Sequence, residues 1–174
     1  GREETTTFAL IPAVAAQCQL PLIAAGGIAS GKAILAALAL GAEGVQIGSR
    51  FAVATESSAH PLFKQCVYET PEGGTMLALK KLSPTRLIKN EFFEQVRTLE
   101  DKGANPEQLK ELLGKGRAKK GIFEGDLQNG EIGQISSILT KEENVTEIMK
   151  ELIQDYEDRL RECNNPDSMF HLSL

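Results

Sequence analysis

The residues of this chain best suited to chemistry form two turns of small residues, Gly26-Gly27 and Gly48-Ser49, each following a short apolar run. A glycine peptide has no side chain to keep an anion away from the backbone, so its N–H group can reach a phosphate oxygen. Ser49 adds a hydroxyl donor. If the two apolar runs are neighbouring parallel strands, both turns lie at one sheet edge and predict a phosphate-binding site.

Two residues beside the second turn, Gln46 and Arg50, have more than one possible role. Gln46 and Ile47 lead into it, and a glutamine amide inside a short buried strand needs partners for its donor and its acceptor. Gln46 either faces a bound ligand or ties neighbouring strands together. Arg50 either reinforces the anion site or forms an exposed structural ion pair. The residues alone leave these alternatives open.

The glycine pattern excludes two common nucleotide-binding motifs. The chain has no G-x-G-x-x-G fingerprint of a dinucleotide fold, and no Gly-Lys-Ser or Gly-Lys-Thr follows the first turn as in a P-loop. The alternative is a purely structural role, in which these glycines only form tight turns. Their pairing at the ends of two successive apolar runs favours the phosphate site.

A strand–helix–strand unit must position the two turns. Residues 20–25 form a continuous apolar run, which predicts a strand buried on both faces. Residues 30–40 predict a helix capped by Ser30, and residues 44–47 predict the second strand. Connections this short predict a parallel pair. Because two strands make no stable covered sheet, we expect neighbouring strands from residues before Gly1, with this chain as the C-terminal portion of a longer protein.

The rest of the pattern is mainly helical. It predicts helices over residues 8–17, 60–68, 91–101, 105–114, 117–123, 132–139 and 145–160, with a turn at 125–130. A capping box of Thr140 and Glu143 is predicted to open the last of these helices. The resulting division is an α/β front over residues 1–68, a helical appendage over 69–162 and a flexible tail over 163–174.

Composition excludes several classes of partner. A net charge of −5 and a pI near 5.2 argue against nucleic acid, and no apolar segment is long enough to cross a membrane. The chain has 3 cysteines that lie far from one another and 2 histidines that lie far from each other, so we expect no metal site, no disulfide and a reducing cytoplasmic setting. His60 is expected to be a helix-capping or surface histidine rather than a catalytic one.

Two segments resemble the nitronate monooxygenase family, formerly called 2-nitropropane dioxygenases, which also contains flavin-dependent enoyl-acyl-carrier-protein reductases. The segments are residues 23–29 (IAAGGIA) and 41–51 (GAEGVQIGSRF). The likeness extends to about Leu160 through looser matches at His60-Pro61, residues 86–90 (RLIKN), Gly125-Asp126 and Gly133-Gln134. It therefore covers most of the chain.

The resemblance implies a β/α barrel that binds FMN, with this chain as the last two β/α units followed by a mainly helical appendage. It places the FMN phosphate on Gly27 and on residues 46–49, with Gly26 beside them. In the monooxygenases, flavin N5 takes electrons from an alkyl nitronate and the reduced flavin then engages O2. In the reductases, NAD(P)H reduces the flavin, which passes hydride to an enoyl thioester.

The chain departs from the family pattern at the catalytic histidine. In the family this residue lies in a glycine-glycine-histidine segment before the equivalent of Gly1, and neither His60 nor His171 matches it. We therefore expect no catalytic residue here and no turnover by this chain alone. The enoyl reductase and a non-catalytic module for a phosphorylated ligand remain alternatives. The small-molecule substrate is left unnamed, and a homodimer is the candidate assembly.

Overall fold

The chain forms a parallel strand–helix–strand unit, an antiparallel hairpin and helices packed around both. The computed structural model describes residues 5–126, 132–165 and 167. The elements in chain order are α1 Thr7–Ala15, β1 Ile23–Ala25, α2 Gly31–Ala39, β2 Gly44–Gln46, α3 Ser49–Ala52, α4 Pro61–Tyr68, β3 Thr75–Ala78, β4 Thr85–Ile88, α5 Glu91–Asp101, α6 Pro106–Leu113, α7 Arg117–Glu124, a 3-10 helix Gln134–Ile138 and α8 Val145–Asn164.

The predicted parallel unit is confirmed. β1 and β2 pair in parallel with Ile23 opposite Gly44 and Ala25 opposite Gln46, and α2 connects them. The Ser30 hydroxyl accepts a hydrogen bond from the Ala33 amide, which is the predicted N-cap. One face of this small sheet packs on a core of Ile11, Ala24, Ile28, Ala37 and Ala42.

The prediction that the first strand is buried on both faces is wrong for the described chain. The strand begins at Ile23 rather than residue 20, and only its central residue, Ala24, is buried. Ile23 is 56% exposed. The reason is that the core lies on one face only, so the other face of β1 meets solvent among the described residues.

The β3–β4 hairpin was not predicted. Its strands pair antiparallel, with Leu77 opposite Arg86, and Ala78 and Leu87 pack on α5 in a core with Phe92. The sequence does not indicate this hairpin because neither strand, TMLA nor TRLI, alternates apolar and polar residues. The region after residue 68 is therefore helical with one small sheet.

The N-terminus of α8 differs from its prediction. Asn144 is the N-cap, and its side chain and that of Glu147 form the reciprocal capping box. The predicted box of Thr140 and Glu143 is wrong because the Glu143 carboxylate instead pairs with Arg50. α8 also runs to Asn164, past the predicted start of the tail. Residues 127–130 of the predicted turn and the rest of that tail, apart from residues 165 and 167, lie outside the described residues.

Helix α8 crosses α2 at Gly31 with backbone against backbone. A Cβ atom added at Gly31 would lie 2.1 Å from the Tyr156 nitrogen and 2.4 Å from the Leu152 oxygen. Lys32 N also donates to Asp155 Oδ2 at 2.9 Å. Only glycine permits this approach, so the docking of α8 depends on one residue.

We predict that Gly31→Ala destabilises the protein by about 3 kcal/mol or more, because the new methyl group meets backbone that cannot move aside. Urea unfolding of the purified protein measures this change. Gly48→Ala is the matched control, since φ is −102° there and nothing lies within 4 Å of the new Cβ. Equal stability of the two variants would contradict the proposed crossing.

Candidate functional site

The two glycine turns leave the same edge of the β1–β2 sheet. Because Ala25 pairs with Gln46, Gly26-Gly27 and the turn at Gly48-Ser49 follow neighbouring strand ends. Gly26 has φ +94° and Gly27 has φ +74°, a left-handed region that favours glycine. Thr7 Oγ1 donates to the Gly26 carbonyl at 3.3 Å and holds the first turn against α1.

A third segment, Gly133-Gln134, lies against both turns. A Cβ at Gly27 would be 3.5 Å from Gln134 Nε2, and a Cβ at Gly133 would be 2.6 Å from Ser49 Oγ. These distances place the start of the 3-10 helix beside Gly27 on one side and Ser49 on the other. The Gln134 amide therefore adds a side-chain donor at the first turn.

An open cleft of about 970 Å³ begins at the first turn. Gly26, Gly27 and Gln134 form one part of its wall, and Lys80 and Arg86 of the hairpin region form another. Its remaining lining is apolar or threonine, and no carboxylate is among the described residues that line it. A cleft whose described lining offers amide and hydroxyl donors, and in which the charged side chains are cations, suits an anionic ligand.

The structure divides the predicted site residues between two places. Gly26 and Gly27 line the cleft, whereas residues 46–49 do not and lie by Gly133 instead. Gln46 and Gly48 are exposed, while Ile47 and Ser49 are half-buried. The prediction of Gln46 as a buried amide is wrong because its strand ends there and the sheet edge is open.

The N-terminus of α2 contributes less to anion binding than the sequence indicates. The Lys32 amide donates to Asp155 Oδ2, and the Ala33 amide donates to Ser30. Two of the N–H groups in the first turn of the helix therefore already donate hydrogen bonds to side chains of the protein. The turn preceding α2 remains as the source of backbone donors.

Arg50 is neither in the cleft lining nor in an exposed ion pair. It is 5% exposed, and its Nη1 donates to the Ala29 carbonyl at 2.8 Å. Nε and Nη2 donate to the Glu143 carboxylate at 3.0–3.2 Å, and Nη2 also lies 3.0 Å from Glu151. Arg50 directly follows the second turn. Its guanidinium therefore connects that turn to the segment after the first turn and to the segment that leads into α8. The prediction of an exposed pair is wrong.

The pairing with Arg50 affects the pKa of the Glu143 carboxyl. Burial alone would raise its pKa, but hydrogen bonds and charges from Lys141 and Arg50 outweigh burial and hold the pKa below its ordinary value. A buried carboxylate held by two cations remains ionised in the folded protein and keeps the Arg50 charge balanced.

Other candidate groups have structural roles. His60 Nδ1 accepts a hydrogen bond from the Leu62 amide and caps α4, as predicted. Cys18, Cys66 and Cys163 are free thiols. His171 lies outside the described residues. Across the described part of the chain we find no cluster of His, Cys, Asp and Glu that could hold a metal, and no helix with the length and apolar character to span a membrane.

The fold and site define an α/β protein with a pair of parallel strands, the first of which ends at a cleft edged by glycine and lined by two cations. A family model for nitronate monooxygenase matches residues 1–155, and the chain belongs to that family. It is 34% identical over 158 residues to a probable nitronate monooxygenase of Bacillus subtilis (strain 168), covering 89% of this chain and 45% of that protein. A probable nitronate monooxygenase of Staphylococcus saprophyticus is 35% identical, with 66% of this chain and 34% of the relative covered.

Two solved structures extend the comparison to the fold. FabK from Thermotoga maritima matches with a TM-score of 0.85 and 33% identity, over 93% of this chain and 52% of that one. A nitroalkane oxidase from Streptomyces ansochromogenes matches with a TM-score of 0.69 and 25% identity, over 89% and 44%. The chain thus spans about half the length of the first of these relatives and about half of each solved structure.

Sequence reasoning missed Gln134, Lys80 and Arg86 as parts of the cleft. Gln134 and Arg86 lie in the looser matches to the family, and no sequence pattern gives a role to Lys80. Their relation to Gly27 arises from tertiary contacts of residues far apart in sequence, and no local pattern carries that information.

The ion pair of Arg50 and Glu143 predicts how stability depends on pH. The folded pKa of Glu143 lies below its unfolded value, so its contribution is full above the ordinary carboxyl pKa and is lost as pH falls through the folded value. Glu143→Gln should cost about 3 kcal/mol near pH 7, because it removes the buried carboxylate and leaves the half-exposed Glu151 as the ionised partner of Arg50. It should also flatten the fall in stability towards acid.

Urea unfolding at several values from about pH 7 to about pH 3 measures both effects. Glu94→Gln is the control, because that residue pairs with Arg97 only at the exposed surface. A Glu143→Gln profile that parallels the wild-type profile would contradict the assignment.

Proposed function

We propose that this chain supplies the FMN-phosphate site of an FMN-dependent oxidoreductase that oxidises alkyl nitronates with O2. One observation carries the proposal: the turns at Gly27 and Ser49 lie on either side of Gly133-Gln134, at neighbouring ends of parallel strands. Membership of the nitronate monooxygenase family supports the reaction.

The residues present fit a phosphate dianion. The Gly26-Gly27 turn offers backbone that no Cβ shields, Gln134 offers an amide, and the cleft lining described above holds cations without carboxylates. In this proposal residues 46–49 approach the same group from the side of Gly133. FMN, when bound, supplies the redox chemistry, while these residues bind the phosphate and so fix the position of the flavin.

We further propose that β1 and β2 are the last two strands of a β/α barrel and that residues 69–162 are its appendage. The parallel pairing and the exposed face of Ile23 support this arrangement, since a barrel interior would cover that face. Residues 1–68 and 69–162 would then share one cleft. The catalytic histidine expected from the family would belong to another part of the protein.

The cofactor proposal predicts a yellow protein whose extracted flavin is FMN. Gly27→Asp should weaken FMN binding by roughly 2–4 kcal/mol, because a carboxylate enters the phosphate position. Equilibrium titration of flavin fluorescence measures the loss. Gly103→Asp is the matched control, since Gly103 also has positive φ (+81°) and nothing lies within 4 Å of its Cβ.

Two outcomes would contradict the cofactor proposal. The first is a colourless protein that stays colourless with added FMN, which would favour the non-catalytic phosphate-ligand module. The second is unchanged FMN affinity in Gly27→Asp, which would place the phosphate elsewhere.

The second candidate function is the flavin-dependent enoyl reductase. The similarity to FabK is compatible with it, and this match has the higher TM-score of the two, 0.85 against 0.69. Both candidates use the same phosphate site, so this chain's residues bind the cofactor alike in either case.

Because this chain alone is expected to be inactive, turnover by the intact protein that contains it separates the two enzymes. We predict O2 consumption with an alkyl nitronate and no NAD(P)H oxidation with a crotonyl thioester. The opposite pattern would replace the monooxygenase with the reductase and leave the FMN site in place.

A further inference from the structure

The β3–β4 hairpin forms one wall of the cleft. Neither the sequence patterns nor the family resemblance assigns a function to this wall. We infer that Arg86, with Lys80 beside it, binds a phosphate group of the ligand whose other contact is the Gly27 turn. This inference rests on the proposed function, since it adds a partner to the same cleft. It assigns a binding role to the hairpin.

The hydrogen-bonding state of Arg86 is the first observation. Its side chain is half-buried, and Nη1 donates to Thr75 O and Thr75 Oγ1 at 3.4 and 3.3 Å, both long. Its Nε is fully buried and has no partner among the described residues. A guanidinium has five N–H donors, and a buried charged donor left unsatisfied is costly. A turn of the guanidinium towards an anion in the cleft would satisfy it.

The second observation is the backbone that brings Lys80 to the cleft. Leu79 has φ +57°, rare for a large residue, and its side chain is fully buried in the core beneath the hairpin. The next residue, Lys80, is exposed and lines the cleft, while its amide donates to Glu100 Oε1 at 3.1 Å. Glu100 is not among the lining residues, so Lys80 and Arg86 are the charged groups of the described lining.

These observations specify the ligand chemistry. The planar fork of arginine matches two oxygens of one phosphate, and a second cation balances its second charge. The glycine turn supplies neutral donors on the same cleft, so the two walls complement each other. The phosphate is either that of FMN itself or that of a second ligand such as a pyridine nucleotide, and binding measurements separate these sources.

The test compares Arg86→Gln with Lys89→Gln in the purified protein. Lys89 lies on the same hairpin, is exposed and does not line the cleft, so it controls for the lost charge. Arg86→Gln should raise the Kd of FMN by about 10- to 100-fold and leave that of riboflavin unchanged, because only FMN carries the phosphate. If FMN binding is unchanged and the Kd of NADPH rises instead, the phosphate belongs to the second ligand.

Unchanged binding of both FMN and NADPH in Arg86→Gln would overturn the inference, and so would an equal loss of FMN and riboflavin. Lys80→Gln guards against a folding defect of the first variant, because Lys80 is exposed; a smaller, FMN- or NADPH-selective loss is expected, and none would also overturn it. A wild-type protein that binds no flavin would overturn the proposed function itself, so the two failures are distinguishable.

Discussion

The buried guanidinium of Arg50 holds together the three segments on which the site depends. It binds the Ala29 carbonyl after the first turn, it follows Ser49 in the second turn, and it pairs with Glu143 just before α8. Such a charge is stable in the interior only while its carboxylate partner stays ionised. The relative position of the two turns is therefore coupled to the docking of α8, which also crosses α2 at Gly31.

That coupling gives the helical part of the chain a role in ligand binding. The 3-10 helix begins at Gln134, beside Gly27, and the hairpin presents Arg86 and Lys80 to the same cleft. The parallel unit provides backbone donors, and the later elements provide side-chain donors and charge.

Local patterns were sufficient to predict the parallel unit and most helices. Apolar runs ended by glycine define β1, α2 and β2, and Asn105 with Pro106 defines the start of α6. Local patterns failed where two signals competed or where contacts were distant. Asn144 and Thr140 each precede a glutamate by three residues, so both could begin a capping box. Glu143 is paired with Arg50, and the capping box forms between Asn144 and Glu147.

The same reasoning explains the unpredicted parts of the cleft. β4 has no apolar alternation, because Leu87 and Ile88 are both buried, whereas Arg86 is half-buried and lines the cleft. A burial prediction likewise failed for Gln46, because burial depends on which elements cover the sheet edge and not on the strand's own residues. The local sequence therefore predicts neither the position of Arg86 in the cleft nor the exposure of Gln46.

A crystal structure of the purified protein with FMN bound tests the central claim most directly. The account predicts phosphate oxygens about 3 Å from the Gly27 amide and from Gln134 Nε2. A phosphate bound away from this turn, with the Gly27 amide hydrogen-bonded to another part of the protein, would contradict it.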